Sequence, residues 1–212
     1  MNAIPAPTVP VFEDERAMPG VIIFDLDGTL TVPVLDFDAI RRELGLVDEP
    51  ILEAMQHMDA ATRRRADTVL ERHEREAAHR SILQPGAAAT LAELRRRRHL
   101  TAILTRNTRR WTTVVLEKHD LTVDALRCRD DGAIKPSKEP IESICTELGC
   151  DVASSWMVGD HLFDIQSGRE AGCRTVLLVS NHTAPPYADQ ADHVIDRLPD
   201  LLELIDSQPN RA

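Results

Sequence analysis

Short apolar runs alternate along the chain with longer stretches in which apolar residues recur at helical spacing. The short runs cover four or five positions each and occupy Val21–Phe24, 101–104, 125–128, 155–158 and 175–179. Runs of this length, without regular alternation of apolar and polar residues, are typical of strands buried on both faces of a parallel sheet. We therefore predict five strands.

The intervening stretches predict helices. Apolar residues follow the spacing of one helix face at Ile141, Ile144, Cys145 and Leu148, and again from Leu198 to Ile205. A chain that alternates strands with helices forms a mostly parallel sheet with helices on both sides. The predicted fold class is therefore α/β, with a Rossmann-like core.

One long stretch contains no strand signal. From Thr31 to about Gln84 every pattern is helical, and Pro85-Gly86 ends it. A crossover between parallel strands needs little more than a single helix, so this stretch is too long to be one. We interpret 32–83 as an inserted helical cap.

The remaining boundaries follow from this interpretation. The cap divides a catalytic core made of 19–31 and 84–206. Residues 1–18 contain three prolines and no apolar periodicity, so they are predicted to form an extended tail. Residues 207–212 are predicted to form a short C-terminal tail.

The charge balance narrows the range of partners. The 212 residues include 25 basic and 35 acidic side chains, which give a formal net charge of −10. Nucleic acids and anionic membranes require a basic surface, so we expect neither as a partner. A metal ion or a few basic groups can still make one pocket attract an anionic small molecule.

The sequence also bears on location. No apolar run reaches the ~18 residues of a membrane span, and the first 20 residues lack the basic and apolar regions of a secretory leader. The four cysteines form no CxxC pair, and free thiols are usual in a reducing compartment. We expect a cytoplasmic protein, and both monomer and homodimer stay open.

Chemically active residues follow the strands that we expect in the middle of the sheet. Because parallel strands end at one edge, their following residues converge there. In chain order these are Asp25-Leu26-Asp27-Gly28-Thr29, then Thr105-Arg106-Asn107, then Lys135-Pro136 in a loop, and finally Gly159-Asp160 with Asp164 four residues on.

In this order the motifs resemble those of the haloacid dehalogenase-like superfamily. The match is to its phosphatase branch with a small helical cap after the first strand, a group that includes phosphoglycolate phosphatase-like enzymes. The resemblance extends from about Pro19 to Ile205. It implies a phosphomonoester hydrolase that acts on a small phosphorylated metabolite.

The resemblance also implies roles for the acidic residues. Asp25 is the expected nucleophile, which forms an aspartyl-phosphate. Asp27 is the expected acid and base, protonating the leaving alcohol and then activating water. Mg²⁺ is the expected cofactor, held by Asp25, the backbone carbonyl of Asp27 and Asp160. Asp164, one helical turn from Asp160, is expected to support Asp160 without binding the ion itself, or to act through a metal-bound water.

The remaining motif residues are expected to bind the phosphoryl group. The resemblance implies that Thr105 donates a hydrogen bond to it and that Lys135 neutralises its charge. Arg106 and Asn107 are expected to contact the substrate, and Asn107 could instead orient the nucleophile. Gly28 permits a turn that a side chain would obstruct.

Other activities stay open at this point. A phosphosugar mutase of the same family also uses an aspartyl-phosphate. A phospho-acceptor signalling module, from a different class, also gathers aspartates, a threonine, a lysine and Mg²⁺, although here the expected nucleophile already follows the first strand. A dehalogenase is disfavoured, because the resemblance implies that dehalogenating members lack an acid at the position of Asp27. Substrate choice is expected to lie in the cap.

Overall fold

Six parallel strands form one sheet in the computed structural model, which describes residues 19–180 and 183–207. The strands are β1 (Val21–Phe24), β2 (Leu100–Leu104), β3 (Ala125–Arg127), β4 (Trp156–Gly159), β5 (Arg174–Leu178) and β6 (His193–Ile195). Their order across the sheet is β3-β2-β1-β4-β5-β6. The chain crosses from one half of the sheet to the other next to β1, which is where ligands bind in open α/β sheets.

Eight α-helices lie in the described ranges. They are α1 (Phe37–Leu44), α2 (Ile51–Gln56), α3 (Ala60–Arg80), α4 (Ala87–Arg96), α5 (Arg109–Lys118), α6 (Glu139–Leu148), α7 (Leu162–Ala171) and α8 (Asp200–Ser207). The α/β prediction is confirmed. No helix in these ranges has the length and apolar character that crossing a bilayer requires.

Alternate side chains of β1 point into two different apolar layers. Ile22 and Phe24 belong to the larger layer, which includes residues of α4, α5 and α8. Val21 and Ile23 belong to the layer that α6 covers. Each of these side chains is buried, and full burial of a side chain such as Phe24 contributes roughly 2 kcal/mol. The two layers hold the central strand in place, and with it the residues that follow.

Two elements were not anticipated from the apolar pattern. Strand β6 has only three residues at the edge of the sheet, and Val194 in its middle is exposed. Helix α7 carries no continuous apolar stripe, because its buried positions include Asp164, Ser167 and Gly168. Both elements depend on contacts with distant parts of the chain, which a local pattern does not contain.

The stretch between β1 and α4 is helical, as predicted, and we call residues 37–80 the helical segment. Asp36 and Asp59 accept hydrogen bonds from the first backbone N–H groups of α1 and α3, which stabilises both helix starts. The segment also has its own apolar cluster, formed by Ile40, Ile51, Met55, Ala66, Val69 and Leu70.

The two connections to the helical segment run side by side. Thr31 and Leu83 form an antiparallel bridge, and the backbone N–H of Gln84 donates to the carbonyl of Leu30 at 2.9 Å. The domain boundaries at 32–83 stay a prediction. Of the predicted tails, 1–18 and 208–212 lie outside the described residues, and Ser207 closes α8.

Candidate active site

A cavity of about 440 Å³ lies between the carboxyl edge of the sheet and the helical segment. The sheet contributes Asp25, Thr105, Lys135 and Asp160 to its wall, and the helical segment contributes Leu70 among others. All eight site residues predicted from the sequence line this cavity: Asp25, Asp27, Thr105, Arg106, Asn107, Lys135, Asp160 and Asp164. The topology therefore brings together residues that are up to 139 positions apart in the chain.

Asp25 and Lys135 form the floor of the cavity. The Lys135 ammonium donates to Asp25 Oδ1 at 2.5 Å and to Asp164 Oδ1 at 2.6 Å. The backbone N–H of Asp25 donates to the carbonyl of Val158 at 2.9 Å, which fixes the expected nucleophile between β1 and β4. Lys135 is only 3% exposed, so its charge is held by these two carboxylates rather than by water.

Burial controls the titration of this floor. Burial raises the pKa of Asp25 well above its usual range, and the charges of Asp164 and Asp160 add to that effect, while Lys135 opposes it. Burial also works to lower the pKa of Lys135, but the carboxylates of Asp164 and Asp25 outweigh it and raise that pKa. The site therefore contains more negative charge than one ammonium can balance.

Three carboxylates of this site could share one cation. Oxygen atoms of Asp25, Asp160 and Asp164 lie within 4.8 Å of one another. Burial, followed by the nearby charge of Asp164, raises the pKa of Asp160 to about 7. Clustered carboxylate oxygens with a single ammonium among them are a donor set that suits a hard divalent cation such as Mg²⁺. The residues present thus fit the expected cofactor.

Two glycines allow these carboxylates to approach. Gly28 has φ of +87°, and a Cβ there would lie 2.1 Å from Asp160 Oδ2. At Gly159 a Cβ would lie 2.2 Å from the Asp164 carboxyl carbon. Thr29 also donates to Asp160 Oδ1 at 3.1 Å. A side chain at either glycine would displace an acidic residue from the site.

Asp160 and Asp164 are related differently from the prediction. Helix α7 begins only at Leu162, with His161 as its N-terminal capping residue, so Asp160 lies in the loop before the helix. Asp164 folds back over the first turn, where its Oδ2 accepts from the backbone N–H of His161 at 3.0 Å. Both oxygens of Asp164 are thus engaged, one by Lys135 and one by the helix start.

Asp27 lies beside Asn107. The Asn107 amide donates to Asp27 Oδ2, and Thr31 donates to Oδ1 at 3.4 Å. Burial raises the pKa of Asp27, although these two hydrogen bonds oppose the shift. A raised pKa suits a carboxyl group that must carry a proton during part of a reaction. Asn107 therefore contacts the expected acid and base rather than the expected nucleophile.

Thr105 and Arg106 are neighbours in the sequence but have different hydrogen-bond partners. The Thr105 hydroxyl lies at the cavity wall and accepts from the backbone N–H of Asn107 at 3.2 Å. The Arg106 guanidinium makes two 2.7 Å hydrogen bonds to the carboxylate of Glu53 in α2. It also donates to the Lys135 carbonyl at 3.0 Å and stacks over Phe163. Arg106 thus joins the helical segment to the sheet edge.

A second ion pair that joins the helical segment to the core, between Glu74 and Arg129, was not anticipated from the sequence. Glu74 of α3 is buried, accepts from Arg129 at 2.5 Å and from the Thr108 hydroxyl at 3.1 Å. Burial raises the pKa of Glu74, while Arg129 and Thr108 oppose the shift. One signal could have revealed it, since Glu74 lies four residues after buried Leu70 and interrupts the apolar face of α3.

Gln84 also escaped the sequence analysis. Its side-chain amide donates to the carbonyl of Gly28 at 3.1 Å, and Gln84 is 7% exposed. The contact links the second connection of the helical segment to the turn that carries the expected catalytic acids. A lone glutamine before Pro85 gives no local indication of such a role.

Comparison with known proteins agrees with this geometry. A family described as haloacid dehalogenase-like hydrolase matches residues 31–178. The N-acetylmuramic acid 6-phosphate phosphatase of Pseudomonas putida is 32% identical, over 88% of this chain and 96% of the relative. The phosphoglycolate phosphatase of Aliivibrio fischeri is 26% identical, over 92% and 98%. A solved hydrolase from Pseudomonas syringae has the same fold, with a TM-score of 0.74, 20% identity and coverage of 88% and 98%.

Proposed function

The chain belongs to the haloacid dehalogenase-like hydrolase family, on its phosphatase branch, and we propose that it hydrolyses small phosphate monoesters with Mg²⁺ through an aspartyl-phosphate. The observation that carries the proposal is the floor of the cavity. Three carboxylates cluster there, the buried Asp25 and Asp164 and the half-buried Asp160, and the first two contact the Lys135 ammonium, in a cavity that the helical segment also lines. This arrangement suits the transfer of a phosphoryl group to a carboxylate.

In the first step, an Asp25 carboxylate oxygen attacks the phosphorus atom while the bond to the leaving alcohol oxygen breaks. Asp27 donates a proton to that oxygen, so that a neutral alcohol leaves. Its raised pKa supports this role. Asn107 and Thr31 hold the Asp27 carboxyl group in place during the transfer.

In the second step, water attacks the phosphorus atom of the aspartyl-phosphate. Asp27 takes a proton from this water, the bond from phosphorus to Asp25 breaks, and phosphate is released. Lys135 balances negative charge on the phosphoryl oxygens and the Thr105 hydroxyl donates to them, a role supported by the position of both residues on the cavity wall.

Asp25, the Asp27 backbone carbonyl and Asp160 would hold Mg²⁺. Bound there, the ion supplies charge that offsets repulsion between the carboxylates and an approaching phosphate dianion. We assign Asp164 a supporting role rather than direct coordination, since Lys135 and the backbone N–H of His161 hold its two oxygens in place.

We assign the helical segment the role of a cap over this site. It forms one wall of the cavity, and two ion pairs, Glu53 with Arg106 and Glu74 with Arg129, connect it to loops of the core. A cap in this position limits the access of bulk water during phosphoryl transfer.

The direct test is phosphate release by the purified full chain. The substrates would be p-nitrophenyl phosphate and a panel of phosphorylated metabolites that includes sugar phosphates and 2-phosphoglycolate. After removal of divalent ions with EDTA, we expect activity to fall at least about a hundredfold and to return with Mg²⁺. EDTA already saturated with Mg²⁺ is the control for direct inhibition. Full activity after chelation would contradict the metal role, and no phosphate release from any ester would contradict the proposal.

A further inference from the structure

Every lysine and arginine side chain on the cavity wall already has an acidic partner, within the part of the chain that the structure describes. Lys135 is held by Asp25 and Asp164. The other pairs join Arg41 to Asp38, Arg106 to Glu53 and Arg129 to Glu74. A second negative group on a substrate would therefore compete with a carboxylate for each of these cations, and only the Arg41 pair is a strongly exposed one.

The cavity wall also carries an excess of acids. Four basic and six acidic side chains line it. A bound divalent cation would offset two negative charges, and a phosphate dianion would bring two back. A substrate with a carboxylate beyond the phosphate would then enter a region of like charge, which disfavours binding.

The wall away from the sheet edge is largely apolar. Its apolar members come from the helical segment, its flanking residues and α7: Leu35, Phe37, Pro50, Ile51, Leu52, Leu70 and Phe163. Such a surface suits the carbon skeleton of a neutral leaving group more than it suits a second charge.

Glu53 has a particular position in this arrangement. It belongs to α2, next to Ile51 and Leu52, which line the cavity. Both oxygens of its carboxylate accept hydrogen bonds at 2.7 Å from one guanidinium nitrogen of Arg106, Nη2, so a substrate carboxylate would have to compete with Glu53 for this nitrogen. Because Glu53 is part of the same chain, it competes at a high effective concentration.

We propose that Glu53 determines specificity by occupying Arg106, so that the enzyme prefers phosphate monoesters of neutral alcohols to esters that carry a carboxylate. The inference rests on the proposed function, and it concerns substrate choice at the same site. In a phosphatase that selects substrates through a carboxylate, the arginine would be free to bind that carboxylate, whereas here Glu53 occupies it.

The test compares two esters that differ by one carboxylate, glucose 6-phosphate and 6-phosphogluconate. We expect the wild-type chain with Mg²⁺ to favour glucose 6-phosphate in kcat/KM by at least about tenfold. Glu53→Gln should reduce that ratio to about one, because the freed Arg106 can bind the carboxylate of 6-phosphogluconate. The double variant Glu53→Gln with Arg106→Gln should restore a preference for the neutral ester.

Two controls distinguish a specific role of Glu53 from a general effect of charge and from damage to the core reaction. Glu71→Gln removes the same charge from α3, where Glu71 pairs with Arg110 away from the cavity wall, and should leave the ratio unchanged. Turnover of p-nitrophenyl phosphate reports the core reaction in each variant, and Glu53→Ser replaces Glu53→Gln if the latter does not fold.

Two results would overturn this inference alone, provided p-nitrophenyl phosphate is still turned over. One is a wild-type enzyme that cleaves 6-phosphogluconate as efficiently as glucose 6-phosphate. The other is a Glu53 variant with an unchanged ratio. Absence of p-nitrophenyl phosphate turnover in the wild type would overturn the proposed function, and this inference with it.

Discussion

The sheet edge and the helical segment face each other across one cavity but are built differently. At the sheet edge, Lys135 and Asp164 are buried, with exposed fractions of 3% and 1%. The helical segment has a cluster of only six buried apolar residues, and Glu53 reaches Arg106 from a partly exposed helix. The expected catalytic groups are therefore held rigidly, whereas the groups of the helical segment that face the cavity have weaker support from the surrounding structure.

Helix α3 connects the two regions. Its N-terminal half contributes Ala66, Val69 and Leu70 to the small cluster, while Ala78 near its C-terminus belongs to the large apolar layer of the sheet. Between these parts lies Glu74, which binds Arg129 of the core. The difference between the regions suggests that substrate choice can change through the helical segment without disturbing the chemistry of the sheet edge.

The largest expected effect comes from the sheet edge. We expect Asp25→Asn to lower kcat for p-nitrophenyl phosphate by at least about a thousandfold, because an amide cannot form the acyl-phosphate. The measurement is phosphate release by fresh protein, with mass spectrometry to exclude deamidation back to aspartate.

The fold of this variant provides its control. The substitution keeps the shape of the side chain, so the circular dichroism spectrum should match that of the wild type. Asp27→Asn should be nearly as inactive but should accumulate phosphoenzyme, because hydrolysis loses its base. An Asp25→Asn enzyme with wild-type turnover would rule out covalent catalysis.

The sheet edge was the more predictable of the two regions. Its central strands are continuous apolar runs, and three of the site residues, Asp25, Thr105 and Asp160, directly follow one of them. Parallel topology then brings these residues to one edge without further information. The α/β fold and the convergence of the acidic residues could be predicted for this reason. The helices of the helical segment could be predicted from the helical spacing of their apolar residues.

The contacts of the helical segment could not be predicted in the same way. Glu53 and Arg129 are two of many charged residues in this sequence. The residues next to them in the sequence do not distinguish them from solvated charged side chains. Their partners lie 53 and 55 positions away, so the pairs depend on how the helices dock. Because of that docking, the Arg106 side chain binds Glu53 instead of being free to contact a substrate.

A smaller effect should separate buried from exposed ion pairs on α3. We expect Glu74→Ala to lower the free energy of unfolding by about 3 kcal/mol, because it leaves Arg129 and Thr108 without their buried partner. Glu71→Ala, on the same helix, breaks the exposed pair with Arg110 and should leave the urea midpoint unchanged.

Urea denaturation at equal protein concentration measures both changes, and the dependence on urea should keep the same slope if unfolding remains two-state. Equal midpoints for the two variants would show that Glu74 does not anchor α3 to the core. The Glu53–Arg106 pair and apolar contacts would then be what attaches the helical segment.

The smallest expected effect lies where the two regions meet, at Gln84. Gln84→Ala removes the hydrogen bond to the Gly28 carbonyl and leaves that buried acceptor without this partner. Because Gly28 approaches Asp160 so closely, a looser turn should disturb the acidic cluster. We expect kcat to fall about tenfold and the Mg²⁺ concentration for half-maximal activity to rise, with little change in KM for p-nitrophenyl phosphate.

The matched variant Gln84→Glu keeps the shape of the side chain but lacks the amide donor, so it should show the same loss. A lower melting temperature with unchanged kcat and Mg²⁺ dependence would mean that Gln84 only stabilises the fold.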